Sequence, residues 1–365
     1  MQRKSGEEKR KVLGIKIEDK MSHGAKLPYI EYIRVFAALA VVFLHIVMTL
    51  NNNYTVEELG VFNYTVFSDC YMLVKWAVPC FIMVSGALLL NPGKQISVKK
   101  TGKYIWRMLL VLLTFGVVYA LMELVFIEKT IDARILGRAL LNTAEGNTWT
   151  HMWYIYAMIP IYIIMMPLKD FIRAQNRKSI GIFIAVLFVG NFLIPTVNTL
   201  CGTDLKTFMP INEYVTYLII GYYISTIPND SKLFQRPIYI VGGIATIGMI
   251  GIETYSLVVH NEVAAVNHSS GEILTLIQSV SVFMLMKIVF EHRETTHLVQ
   301  AVSKCSFGIY LIHPFWINLI YKVLKINPLS MPIGIGIVVL FAVVFVLSFI
   351  SAWLVKRLPA IKNII

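Results

Sequence analysis

E-Y-I-R-V-F-A-A-L-A-V-V-F-L-H, residues 31–45, is the stretch on which the reading of this chain turns. It is an apolar run interrupted by two ionisable side chains, Arg34 and His45, eleven residues apart. At about 100° and 1.5 Å per residue, eleven helical steps return to nearly the same face, so both side chains project from one stripe about 16 Å apart. An ionisable group at the centre of a membrane helix costs at least about 2.5 kcal/mol. Such residues therefore face a bundle interior, a cavity or a partner, and the stretch reads as a transmembrane helix carrying part of a site.

Working outward, the rest of the chain is of the same kind. It is 57% hydrophobic and 15% charged over 365 residues, with a mean hydropathy of +0.67. That is too apolar for a soluble protein of this length, and the apolar residues come in blocks. Ten blocks approach the roughly 20 residues needed to cross a hydrocarbon core: about 30–51, 70–91, 105–127, 149–167, 180–197, 210–227, 237–258, 272–290, 302–323 and 332–355. The expected fold is all-α, a polytopic membrane protein of ten transmembrane helices. No Pro, Gly or Ser linker divides it, so residues 29–365 read as one membrane domain preceded by a solvated tail, 1–28. That tail lacks the apolar core of a secretory signal.

The net charge of +12 is distributed as membrane anchoring rather than as a nucleic-acid surface. Lys and Arg crowd the tail, alternate connections and the carboxyl-terminal end, whereas 52–68 and 259–271 contain none. The positive-inside rule then places both termini in the cytoplasm. The weakest point is the connection after residue 127, with Lys129, Arg134 and Arg138, although Glu128, Asp132 and Glu145 accompany them. Cys70, Cys80, Cys201 and Cys305 lack metal-ligand spacing and read as packing residues; no metal is expected. Glycosylation-type tripeptides begin at Asn53, Asn63 and Asn267, a pattern common by chance.

Four blocks carry a resemblance: Y-I-E-Y-I-R-V-F-A-A-L-A-V-V-F-L-H at 29–45, V-P-C-F-I-M-V-S-G-A-L-L-L at 78–90, H-M-W-Y-I-Y-A-M-I-P at 151–160 and S-F-G-I-Y-L-I-H-P at 306–314. In this order they resemble the bacterial membrane acyltransferases of family 3. The resemblance implies a ten-helix protein of the bacterial inner membrane that moves an acyl group, usually acetyl from acetyl-CoA, to a hydroxyl of a surface glycan or its lipid-linked precursor. It is similar to the single-domain O-acetyltransferases; no G-D-S block marks an attached SGNH esterase domain.

Under that resemblance His45 is the candidate general base, because a neutral imidazole accepts the proton of an attacking hydroxyl. Arg34 orients or neutralises near the CoA phosphates. Interior hydrogen bonding competes for His45, and snorkelling beside Glu31 competes for Arg34. Lys99, Lys103 and Arg107 recur every four residues, stacking three cations on one helical face suited to the CoA phosphates; ordinary anchoring competes for the lysines. The family carries R-x-x-R here, but Tyr104 replaces the first arginine. Ser85 is expected to donate a hydrogen bond near the acyl group, and Gly86 to let helices approach closely.

His151, Trp153 and Tyr154 offer an aromatic belt or a sugar-stacking acceptor site. Ser306 and Tyr310 share a face, and His313 lies near His45 in depth, where it holds the acceptor or an oxyanion or bonds a neighbouring helix beside Pro314. Lys75 faces an anionic acceptor or Asp69. Glu123, Glu213 and Glu253 are available to pair with Arg34, Arg107 or Lys75. A second class, a secondary transporter or flippase using the same His, Arg and Glu residues, fits the composition equally, although no paired halves are visible.

Overall fold

The computed structural model describes residues 27–93, 96–129, 132, 134–207, 211–228, 232–268, 272–359 and 364, with the side chains of 232–236 excepted. The expected amino-terminal tail lies outside the described residues apart from Leu27 and Pro28. Among the described residues, helices stand at each of the expected blocks: α1 Pro28–Asn53, α2 Val61–Leu89, α3 Val98–Glu128, α4 Thr150–Ala174, α5 Arg177–Cys201, α6 Glu213–Ser225, α7 Lys232–His260, α8 Ile273–Phe290, α9 His297–Asn318 and α10 Ile333–Val355. The chain is an all-α polytopic membrane protein. Among the described residues, eight of its helices are long and apolar enough to cross a membrane; α6 and α9 are the other two.

Those two are the exceptions for a reason visible in their packing. In α6, nine of thirteen residues are buried, and α9 buries a polar row of Ser303, Ser306, Tyr310 and His313. Central helices meet protein rather than lipid, so length and hydropathy are less constrained there. α10 is the opposite case, the most apolar helix, with only 28% of its best window buried.

The centre of the bundle is built on close approach. Gly86 of α2 lies so near α6 that an added Cβ would sit 1.8 Å from the Leu218 carbonyl oxygen. Gly221 of α6 answers it: its Cβ would sit 2.1 Å from the Met83 carbonyl oxygen. The expected role of Gly86 is therefore observed, and it is reciprocal. α1 buries the small side chains of Ala37, Ala38 and Ala40, while its first turns are pinned to α8 by Tyr29 against Phe283 and by Tyr32 stacked on Phe290.

Several helices run beyond the apolar blocks. α2 begins nine residues earlier than the expected 70, and its ladder breaks at Lys75 and Trp76 before resuming at Ala77. Pro79, which supplies no backbone N–H, follows immediately. π-Helical turns interrupt α3 at Leu112–Gly116 and α5 at Val189–Leu193, and continue α9 over Leu319–Val323.

The connection between α3 and α4 contains an unexpected amphipathic helix, Ile135–Glu145, which buries Ile135, Ala139 and Thr143 and exposes Leu136, Leu140 and Leu141. Its Arg138 makes a two-pronged bond to Glu128 at 2.5 and 2.7 Å. One of the cations that weakened the charge pattern here is thus neutralised locally. Asn267 is buried and its amide is held by Met249 and Glu253, so it is not presented for glycosylation.

Candidate active site

Three cavities meet around the middle of the bundle. The first, about 370 Å³, receives Arg34 from α1, Arg107 from α3, Lys304 from α9 and Lys356 from just beyond α10. No carboxylate lines it, and Arg34 makes no ion pair among the described residues, not even with Glu31 one turn away. Burial, with Arg107 and Arg34 nearby, lowers the pKa of Lys356. Arg34, Arg107 and Lys356 are half-buried there without a carboxylate, a costly arrangement unless an anion enters, while Lys304 is exposed. Arg107 is itself held in place, donating from Nε to the Ile364 carbonyl at 2.8 Å and lying over the Phe307 ring at 4.9 Å.

The basic stripe of α3 is corrected by this geometry. Only Arg107 turns into the cavity; Lys99 and Lys103 are exposed and do not line it. Their turns precede the point where α3 enters the bundle, so water takes their charge. The missing cations come instead from Lys304 and Lys356. Lys304 had no legible signal: it follows Ser303 directly, about 100° off the face shared by Ser303, Ser306 and Tyr310. Lys356 had none either: its place depends on where α10 ends. Tyr104, in the position of the family's first arginine, packs 5.3 Å from Tyr162, a cavity-lining ring.

Ser85, Tyr154, Ser306 and Tyr310 also line this cavity. Ser306 and Tyr310 share a face as expected. Tyr154, Ser306 and Tyr310 nevertheless belong to the cationic cavity rather than to an aromatic acceptor site with Trp153. Ser85 differs from expectation as well. Its hydroxyl donates to the Phe81 carbonyl at 3.1 Å, so it presents an acceptor oxygen to the cavity.

Beyond the tyrosines lies a layer of three imidazoles. His45 of α1 and His313 of α9 have ring centroids 4.9 Å apart; His151, from the 3-10 turn that opens α4, lies 6.4 Å from His45 and 5.9 Å from His313. The expectation that His45 and His313 share a depth is met, and His151, read as an acceptor-site residue, joins them. Tyr310 connects the layer to the cavity below, with its ring 5.8 Å from His151 and 6.1 Å from His313 and its hydroxyl donating to the His151 carbonyl. Among the described residues no three His, Cys, Asp or Glu side chains converge as metal ligands.

The chemistry of the layer follows from its hydrogen bonds. His313 Nδ1 is 3.1 Å from the Ile309 carbonyl oxygen, so Nδ1 carries the proton and Nε2 the lone pair. That Nε2, like His151 Nε2, is buried with no partner. Buried polar atoms are normally satisfied, so two orphaned imidazole nitrogens in one layer mark a place where something else binds or reacts.

Two further cavities reach this layer from the opposite side, and both contain His45 and His151. One, about 350 Å³, is polar, with Asn52, Asn147, Asn318 and Trp149 on its walls. Trp149 stacks on Tyr119 at 4.3 Å and donates to Glu123 at 2.9 Å. The other, about 300 Å³, is walled by Leu44, Met48, Ile82 and Phe192, with Trp153 against Tyr214 at 5.3 Å. Arg34 and His45 therefore line different, adjoining cavities.

The remaining acids do not go where they were expected. Lys75 pairs with Glu272 and donates to the Asn267 carbonyl, while Asp69 accepts from Thr254 at 3.0 Å. Glu253 is fully buried against Asn267 and His268, Glu123 pairs with Lys322 at 3.4 Å, and Glu213 lines the apolar cavity. None of the three approaches Arg34 or Arg107.

The site is a cation-lined hollow adjoining a layer of histidines inside an all-helical membrane bundle. An acyltransferase domain, that of acyltransferase family 3, matches residues 27–357, and the chain belongs to this family. It is also similar to the "Putative membrane-bound acyltransferase YfiQ" of Bacillus subtilis (strain 168), with 22% identity over 343 residues, 89% of this chain and 90% of that protein. No solved structure matches it. The chain is thus a multi-pass membrane acyltransferase.

Proposed function

We propose that this acyltransferase takes an acetyl group from acetyl-CoA and places it on a hydroxyl of a cell-surface glycan or its lipid-linked precursor, in a bacterial inner membrane. The observation that carries the reading is the cavity of four cations without a carboxylate. It suits the diphosphate and ribose phosphate of CoA, with Arg34 and Arg107 as the forked donors. The positive-inside rule makes this the cytoplasmic end.

In this reading the pantetheine arm points along the cavity toward Tyr154 and Tyr310, bringing the thioester to the histidine layer. The acceptor enters from the opposite side; the amides of Asn52, Asn147 and Asn318 and the Trp149 face suit sugar hydroxyls and rings. His45 removes the hydroxyl proton as the oxygen attacks the thioester carbon. His313 and His151 hold the alcohol or the tetrahedral oxyanion. Collapse breaks the carbon–sulfur bond, and the CoA thiolate takes the proton back from His45. General base catalysis of this kind contributes about 10² to 10⁴-fold.

The test is release of free CoA by the purified full chain in bilayers, with labelled acetyl-CoA and extracted glycan lipids as acceptors. Turnover that depends on acceptor and vanishes in His45→Ala supports the reading. Absence of acetyl-CoA binding by the wild type overturns it and favours transport. Mass spectrometry of surface glycans from a deletion strain identifies the acceptor.

A further inference from the structure

The cation-lined cavity and the chamber holding His45 are separate hollows, yet the proposed transfer needs the acyl group to pass between them. Among the described residues, only Val78 lines both. It follows the break in α2 at Lys75 and Trp76 and immediately precedes Pro79. From there Phe81 and Ser85 continue toward the donor cavity, while Pro79 and Ile82 turn toward the far chamber. A β-branched side chain on a helix is held in essentially one χ1 rotamer, so Val78 forms a fixed constriction rather than a swinging one.

The geometry points to Val78 as the aperture between donor and reaction chambers, and as the residue that sets the length of the acyl group transferred. This rests on the acyl-CoA reading above. Short acyl groups pass to His45. Longer chains are stopped at Val78, although the chamber beyond it offers a hydrocarbon tail the side chains of Leu44, Met48, Ile82 and Phe192 beside Glu213 and the paired Lys75 and Glu272. Trimming Val78 opens that chamber to the tail; enlarging Val78 closes the passage even to acetyl.

The experiment compares wild type, Val78→Ala, Val78→Phe and the near-isosteric Val78→Thr in bilayers, with acetyl-CoA, butyryl-CoA and hexanoyl-CoA as donors. Free CoA as competing inhibitor reports the phosphate end separately. The expected result for Val78→Ala is a rise of about tenfold in the hexanoyl-to-acetyl ratio of kcat/KM, the scale set by one or two methylene-sized gaps. Val78→Phe lowers acetyl transfer about tenfold or more with inhibition by CoA unchanged, and Val78→Thr keeps the wild-type chain-length profile. A hexanoyl-to-acetyl ratio unmoved in Val78→Ala overturns the aperture even if the Phe variant fails to fold. Wild type that turns over no acyl-CoA overturns the function and the aperture together; normal acetyl turnover with an unmoved ratio overturns the aperture alone.

Discussion

The two ends of this bundle treat charge in opposite ways. At the end holding Arg34, four cations surround a hollow with no acid on its walls. At the opposite end four cationic side chains have acidic partners within the protein: Lys75 with Glu272, His268 with Glu253, Lys322 with Glu123, and Arg138 with Glu128. A buried pair holds elements together and leaves nothing for a ligand, whereas unpaired cations pay a standing electrostatic cost that only an anion relieves. The difference separates residues kept for a substrate from residues kept for the fold, although all are charges in or beside apolar helices.

The comparison is broken most sharply at the layer between the two ends. His45→Ala should lower acyl transfer about 10² to 10⁴-fold while the dissociation constant for CoA stays at its wild-type value. Loss of CoA binding in that variant would place His45 with the cation cluster. Next in size is Lys75→Met, which strands Glu272 and removes a donor from Asn267. It should cost on the order of 3 kcal/mol, read as a lowered Tm in detergent, with the acyl-CoA concentration for half-saturation unchanged.

Arg107→Ala sharpens the opposite half. Removing one charge-assisted anchor of about 1.5 to 3 kcal/mol should raise KM for acyl-CoA about ten- to a hundredfold, with a smaller change in Tm than Lys75→Met. Lys103→Ala, one turn away but outside the cavity, should leave KM within about twofold, since exposed charges contribute little. The smallest effect is expected at Arg138→Ala, an exposed pair on a surface helix, whose Tm should be indistinguishable from wild type.

How much was legible in advance differs between these parts. The apolar blocks became helices, eight of which among the described residues are long and apolar enough to cross a membrane, because crossing a bilayer demands a run of apolar residues that few other structures need. Arg34 and His45 were readable from helical spacing within one segment, whereas Ser306, Tyr310 and His313 were picked out by the resemblance of the block at 306–314. Lys99 and Lys103 misled: a four-residue repeat says which residues share a face, not how far along its length a helix has entered the bundle. His151 was seen as an aromatic-belt neighbour, and its place beside His45 depends on how the turn before α4 packs against α1 and α9.

Taken alone, the amino-acid sequence determined the class of the fold, the location of the spans and the stripe that links Arg34 to His45, since each is a local property of hydropathy and helical period. Only the tertiary structure decided which cations gather without acids, that three imidazoles from distant segments share one layer, and that Val78 stands between two chambers. Those facts depend on helices far apart in the chain approaching one another, an approach set by pairs such as Gly86 with Leu218 and Gly221 with Met83. Spacing within a segment carries no record of it.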